Sequence, residues 1–222
     1  MSSMKNIGAF FDFDETLLEV ESGRVGIQYL YDEGHAGRFF IAKVLFFNFL
    51  YQRGLISDDT MARRMIRFYK NKPLADFEQG ADAFYKNHLK PRLAPNVADK
   101  VREHRKAGHR LILISGSVRY LLKPVADDLG FHYLICTDLE MRGNGRLTGR
   151  PDGPVCLNAY KKIYAEEIAR REGIDLGKSY AYGNSGADIP LLRTVGNPVA
   201  VEPTEKLAGV ARQNDWPVMR YR

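Results

Sequence analysis

A chain of 222 residues, 45% apolar and 27% charged, is long enough to bury a sizeable core, which excludes a disordered or fibrous protein. Thirty-three basic against 27 acidic residues leave a formal charge of +6. With no clustered basic tail, this excess speaks against a nucleic-acid partner and suits an enzyme that attracts phosphorylated small molecules.

The first element is a short apolar run, Ile7 to Phe11, of the length of a buried parallel strand. It leads into Asp12 and Asp14, which strand alternation would aim at one point beyond the strand's C-terminal end. Open α/β sheets keep their ligand crevice at that edge. Two adjacent acids repel, and a bound cation or a shared proton relieves them. A hard dication such as Mg²⁺ takes such oxygens. No signal peptide is read ahead of this strand.

From about Ser22 to His88 the signals are helical. Segments 22–33 and 36–53 end at Gly34 and Gly54. The third helix, capped near Ser57, carries Met61, Met65, Phe68 and Tyr69 at helical spacing, and the fourth carries Phe77, Ala81, Phe84 and Tyr85. Phe39, Phe40, Phe46, Phe47, Phe49 and Tyr51 read as bundle core, or else as a greasy surface facing substrate or membrane. The longest apolar run, Phe39 to Leu50, is interrupted by Lys43 and Asn48 and is too short to span a bilayer. A cytoplasmic protein without stable membrane insertion is expected.

Pro91 and Pro95 mark a return to βα rhythm. A helical stripe of Val97, Val101 and His104 precedes the buried strand Arg110–Ile114. Ser115-Gly116-Ser117 follows, a hydroxyl and a glycine read at a helix N-terminus, where anions bind. Next come a helix over 118–129, a strand Tyr133–Cys136 and a hairpin over 138–149. Lys161 and Lys162 fall in the first turn of a helix over 158–172, where cations are slightly disfavoured and call for a reason. Strand Ser179–Tyr182 runs into Gly183-Asn184-Ser185-Gly186-Ala187-Asp188, which delivers two oxygen side chains four residues apart. Asn197–Val201 and Trp216–Met219 are the last strands. Cys136 and Cys156 lack metal-ligand spacing and read as buried thiols of a reducing compartment.

The ordered set Asp12-Phe13-Asp14-Glu15-Thr16, Ser115-Gly116-Ser117, Lys161 and Gly183-Asn184-Ser185-x-x-Asp188 resembles the four motifs of the haloacid dehalogenase superfamily. The helical insertion directly after the first motif resembles subfamily IB, the phosphoserine phosphatase-like group, and the likeness covers nearly the whole chain. It implies an α/β fold: a Rossmann-like parallel sheet core, residues 1–18 and 92–222, with an all-helical C1-type cap, residues 19–91.

The resemblance further implies a Mg²⁺-dependent phosphomonoester hydrolase acting on a small phosphorylated metabolite. Asp12 is then the nucleophile that forms an aspartyl-phosphate, and Asp14 the general acid and base. Ser115 and the Gly116 N–H bind the phosphoryl oxygens. Lys161, or alternatively Lys162, balances charge. Mg²⁺ takes Asp12, the Asp14 carbonyl, Asn184 and Asp188. Two positions depart from the family pattern: Glu15 replaces a small residue, and Asn184 stands where many members carry aspartate. Glu21 occupies the position at which phosphoserine phosphatases bind the substrate's amino group, so Glu15 and Glu21 are the substrate-facing candidates. Arg63 or Arg64 is the candidate for a carboxylate. An amino-acid or amino-alcohol phosphate fits. The alternatives are a phosphotransferase and a non-catalytic metabolite-binding protein of the same fold.

Overall fold

The computed structural model describes residues 6–32, 34 and 36–222. Strands β1 (Gly8–Phe11), β2 (Arg110–Val118) and β3 (Tyr133–Thr137) are followed by hairpin strands β4 (Leu139–Met141) and β5 (Leu147–Pro151). Then come β6 (Tyr180–Gly183), β7 (Asn197–Val201) and β8 (Val218–Met219). Six of them form one parallel sheet in the order β3-β2-β1-β6-β7-β8, while β4 and β5 pair apart from it. The chain's course across the sheet reverses at β1, so the crevice for a ligand opens at its C-terminal end.

Alternation builds the two layers. Phe11, Leu111 and Leu113 point to one face, packed with α5 (Pro95–Lys106) and α6 (Arg119–Leu129) through Val97, Val101, Leu122 and Val125. Phe10, Ile112 and Ile114 point to the other face. There α7 (Ala159–Glu172), α8 (Ile189–Leu192) and α9 (Glu205–Gln213) supply Ile168, Leu191 and Leu207. Burying Phe10 and Phe11 completely stabilises the fold by about 1.5–3 kcal/mol each. Cys136 and Cys156 are free and buried, and burial pushes both thiols up to about 12, so neither is a ready nucleophile.

Between β1 and α5 stand α1 (Ser22–Asp32), α2 (Arg38–Gln52), α3 (Asp58–Ile66) and α4 (Leu74–Phe84). Gly34 and Gly54 both adopt left-handed φ, 73° and 68°, as the predicted stops require. This helical segment touches the rest of the chain through Tyr69 Oη, in the turn after α3, 2.8 Å from Tyr120 Oη, and through the Asn158 amide donating to Asp58 at 3.3 Å. Phe40 lies against Phe68, and Phe47 is half-buried. The reading of the whole aromatic run as bundle core is corrected: Phe39, Phe46, Phe49 and Tyr51 are exposed, and α2 contains no buried residue. The helix is apolar all round, so one stripe cannot satisfy it. No helix among the described residues is long and apolar enough to cross a membrane.

His104 is buried beneath β6, its Nε2 2.8 Å from Tyr182 Oη and its Nδ1 2.7 Å from His109 Nδ1. Burial, then His109, pushes the His104 imidazole down to about 4, with Glu103 opposing and Lys100 adding slightly. The unfolded chain, with a histidine pKa near 6.5, therefore binds a proton that the folded chain does not. Stability from this group is complete above about pH 6.5 and is lost as pH falls toward 4, reaching on the order of 3 kcal/mol. Urea midpoints measured between neutral pH and pH 4.5 should fall along that window, and His104→Gln should flatten the slope.

Candidate active site

The chain leaves β1 at Phe11 and makes a wide turn over Phe13–Leu17, pinned by buried Phe13, Thr16 and Leu17. Asp14 is extended and Glu15 left-handed (φ 53°), so strand alternation, which the sequence pattern suggested, does not aim the acids. The turn gives each its own partners. Asp12 Oδ1 accepts from Lys161 Nζ at 2.5 Å and Oδ2 from the Thr16 hydroxyl at 3.0 Å, while its N–H donates to the Tyr182 carbonyl. Asp14 Oδ1 accepts the Ser22 N–H and Oδ2 the Ser117 hydroxyl, both at 2.5 Å.

Lys161 sits in the first turn of α7, wholly buried, and its ammonium also donates to Asp188 Oδ1 at 2.5 Å. The loop after β6 wraps around the other oxygen. Asp188 Oδ2 accepts the N–H groups of Asn184 and Ser185 at 3.1 and 3.0 Å and the Ser185 hydroxyl at 3.1 Å. A Cβ on Gly183 would fall 2.6 Å from that of Asp188, so glycine alone permits this closure. Two buried carboxylates thus share one ammonium. Burial pushes the Asp12 carboxyl up, Lys161 opposes, and Asp188 adds to the push. Burial works against the Lys161 charge too, but Asp12 and Asp188 outweigh it and hold the ammonium above the usual lysine range.

Strand β2 runs four residues past the expected end at Ile114, so Ser115-Gly116-Ser117 lies on extended backbone ahead of α6 rather than at its N-terminus. The Ser115 hydroxyl accepts the Ser117 N–H at 3.1 Å. The Gly116 carbonyl accepts from Thr137, and a Cβ there would strike Leu157 at 2.6 Å. Neither serine caps the helix. Sequence reasoning missed Ser22 and the Ser117–Asp14 bond: a backbone donor leaves no sequence signal, and Ser117 was visible only as the third motif residue.

Asn184 is buried, and its amide donates to Glu15 Oε2 at 3.3 Å. Glu21 lies close enough to Glu15 and Asp14 to feel their charge. Partial burial pushes its carboxyl up, Glu15 and Asp14 add like charge, and Arg24 opposes. On α3, Arg63 pairs with Asp59 and Arg64 lies over the Phe47 ring, both exposed. Lys162 is likewise exposed, 3.7 Å from Glu166, so Lys161 is the lysine of the cluster. Lys161→Met leaves two buried carboxylates without counter-charge and should cost about 3–5 kcal/mol in denaturant unfolding. Lys162→Met should stay within about 0.5 kcal/mol of the parent.

The model of the haloacid dehalogenase-like hydrolases matches residues 9–193. A histidinol-phosphatase of Neisseria meningitidis serogroup C is 31% identical, over 99% of this chain and all of its own. A phosphoserine phosphatase of Mycobacterium tuberculosis is 26% identical over 96% of this chain and 70% of its own. The crystal structure of a Bordetella pertussis protein of unknown function superposes with a TM-score of 0.89 at 28% identity, covering 99% of this chain and all of that one. Family model, full-length relatives and a parallel sheet with its acids at the β1 edge agree: the chain belongs to the haloacid dehalogenase-like hydrolase family.

Proposed function

We propose that the protein hydrolyses phosphomonoesters of small, amine-bearing alcohols through an aspartyl-phosphate on Asp12. The observation that carries this is the meeting of Asp12, Asp14, Ser117, Lys161 and Asp188, from separate segments of the chain, at the C-terminal edge of β1 and its neighbours. An Asp12 oxygen attacks phosphorus, the ester P–O bond breaks, and Asp14 gives its proton to the departing alkoxide. Asp14 then takes a proton from the water that cleaves the acyl phosphate. A hydroxyl both donates and accepts, so Ser117 can hold Asp14 in either protonation state. Ser115 and the Gly116 N–H hold the phosphoryl oxygens while Lys161 offsets their charge. A binding module would have no use for the second, separately oriented acid.

Magnesium fits the donor set on chemical grounds. The oxygens present are hard, and two carboxylates outnumber the single ammonium. No three His, Cys, Asp or Glu side chains form a metal cage among the described residues, so the set would be mixed: Asp12, the Asp14 carbonyl and the Asn184 carbonyl. Asp188, its oxygens engaged by Lys161 and the loop, would contribute charge. When bound, the ion supplies Lewis-acid charge at the phosphoryl oxygens.

Residues 19–91 would act as a cap on the core formed by 1–18 and 92–222, and Glu21 and Glu15 would face the substrate from the cap junction. The like charge around Glu21 supports a cationic group on the substrate. The relatives' names point the same way, since histidinol phosphate and phosphoserine both carry an amine beside the ester.

Phosphate release with Mg²⁺ should be measured over histidinol phosphate, phosphoserine, amino-alcohol phosphates and glycerol phosphate. Asp12→Asn should fall to background and Asp14→Asn by about 10²–10⁴ in kcat. Glu21→Gln should raise KM for the amine-bearing esters and leave glycerol phosphate unchanged. A parent that binds these esters without releasing phosphate would replace hydrolysis with the binding reading, and transfer to added alcohols would identify a phosphotransferase.

A further inference from the structure

Helix α2 presents an apolar face that no described residue covers. Phe39 is 88% exposed, Phe46 57% and Leu55, just past the helix, 68%, with Leu45 and Phe49 exposed beside them. Phe39, Phe46 and Phe49 recur at helical spacing on the side opposite Phe40, Val44 and Phe47, which pack inward or are half-buried. Single exposed apolar residues need no explanation, but a contiguous set of large ones marks an interaction surface.

The charge on this face selects its partner. Residues 36–57 include Arg38, Lys43 and Arg53, all exposed, and no acid. The Arg53 guanidinium lies 4.8 Å over the Phe49 ring, so cation and aromatic are offered together. The nearest acids in the chain, Asp58 and Asp59, are already engaged by the Tyr51 hydroxyl and by Arg63, so a second copy meeting this face across a two-fold axis would set the cations Arg38, Lys43 and Arg53 against their own counterparts. An anionic plane meets the pattern, with aromatic and aliphatic side chains entering the interface and Lys and Arg at the headgroup level. The surface is a convex helix flank rather than a groove, and at 15 residues the helix is too short to cross a bilayer, so it would lie along one.

We infer that α2 docks this protein reversibly on the surface of an anionic lipid bilayer. The inference does not depend on the proposed chemistry, and each can fail without the other.

The test is co-sedimentation of the full chain with vesicles of phosphatidylcholine alone and of phosphatidylcholine mixed with phosphatidylglycerol, at low and high salt. Binding is expected only to the mixed vesicles and should weaken with salt. Lys43→Gln with Arg53→Gln should lower partitioning roughly thirtyfold, each cation counting for roughly fivefold. Phe39→Ser with Phe46→Ser should abolish it, with far-UV circular dichroism and melting midpoint unchanged because both rings are exposed. Absence of binding to either vesicle would overturn the inference. So would a dimer in sedimentation equilibrium that the two Phe→Ser changes dissociate while vesicles remain unbound.

Discussion

The site depends on one buried ion cluster, Asp12 and Asp188 held on either side of the Lys161 ammonium. Charges removed from water are tolerated only when paired and hydrogen-bonded. Here β1 ends on one carboxylate, the loop after β6 folds around the other, and the first turn of α7 must bring the cation between them. Three elements remote in sequence are tied together by this requirement. The sign of a lysine at a helix N-terminus is wrong for the helix dipole, and the two carboxylates are the reason it is there.

The remaining oxygen partners follow from that arrangement. Thr16 and the Ser185 hydroxyl take up acceptor capacity left on Asp12 and Asp188, while Ser22 and Ser117 hold Asp14 apart from the cluster. Two neighbouring acids thereby enter different environments. Asp12 is buried against an ammonium, and Asp14 is half-buried against the Ser22 N–H and the Ser117 hydroxyl. In the proposed reaction such a division would let one carboxylate attack while the other handles protons, which is what separates the proposed hydrolase from a passive anion pocket.

The helical segment contributes differently. Glu21 and Glu15 bring negative charge to the edge of the site, which in the proposed function would bear on which ester enters, whereas α2 would bear on where the protein sits. The Glu15–Asn184 contact is notable because Asn184 carries no charge itself and the neighbouring glutamate restores an acid close by.

Much of this was legible in the chain alone. The apolar run before Asp12, the βα rhythm after Pro95 and the order of the four motifs determined the parallel sheet and the residues at its edge, because strand period and motif spacing are local properties. The stops at Gly34 and Gly54 were equally local. The choice between Lys161 and Lys162 needed the tertiary structure, since only the packing of α7 decides which of two adjacent lysines points inward. The same holds for Ser115–Ser117, which lie where the pairing of β2 with β3 lapses after Ile114 and resumes with a shifted register at Val118, and for the outward face of α2. A helix apolar on all sides carries no periodic signal to say which side is covered, so its neighbours alone decided that Phe39 and Phe46 would meet solvent.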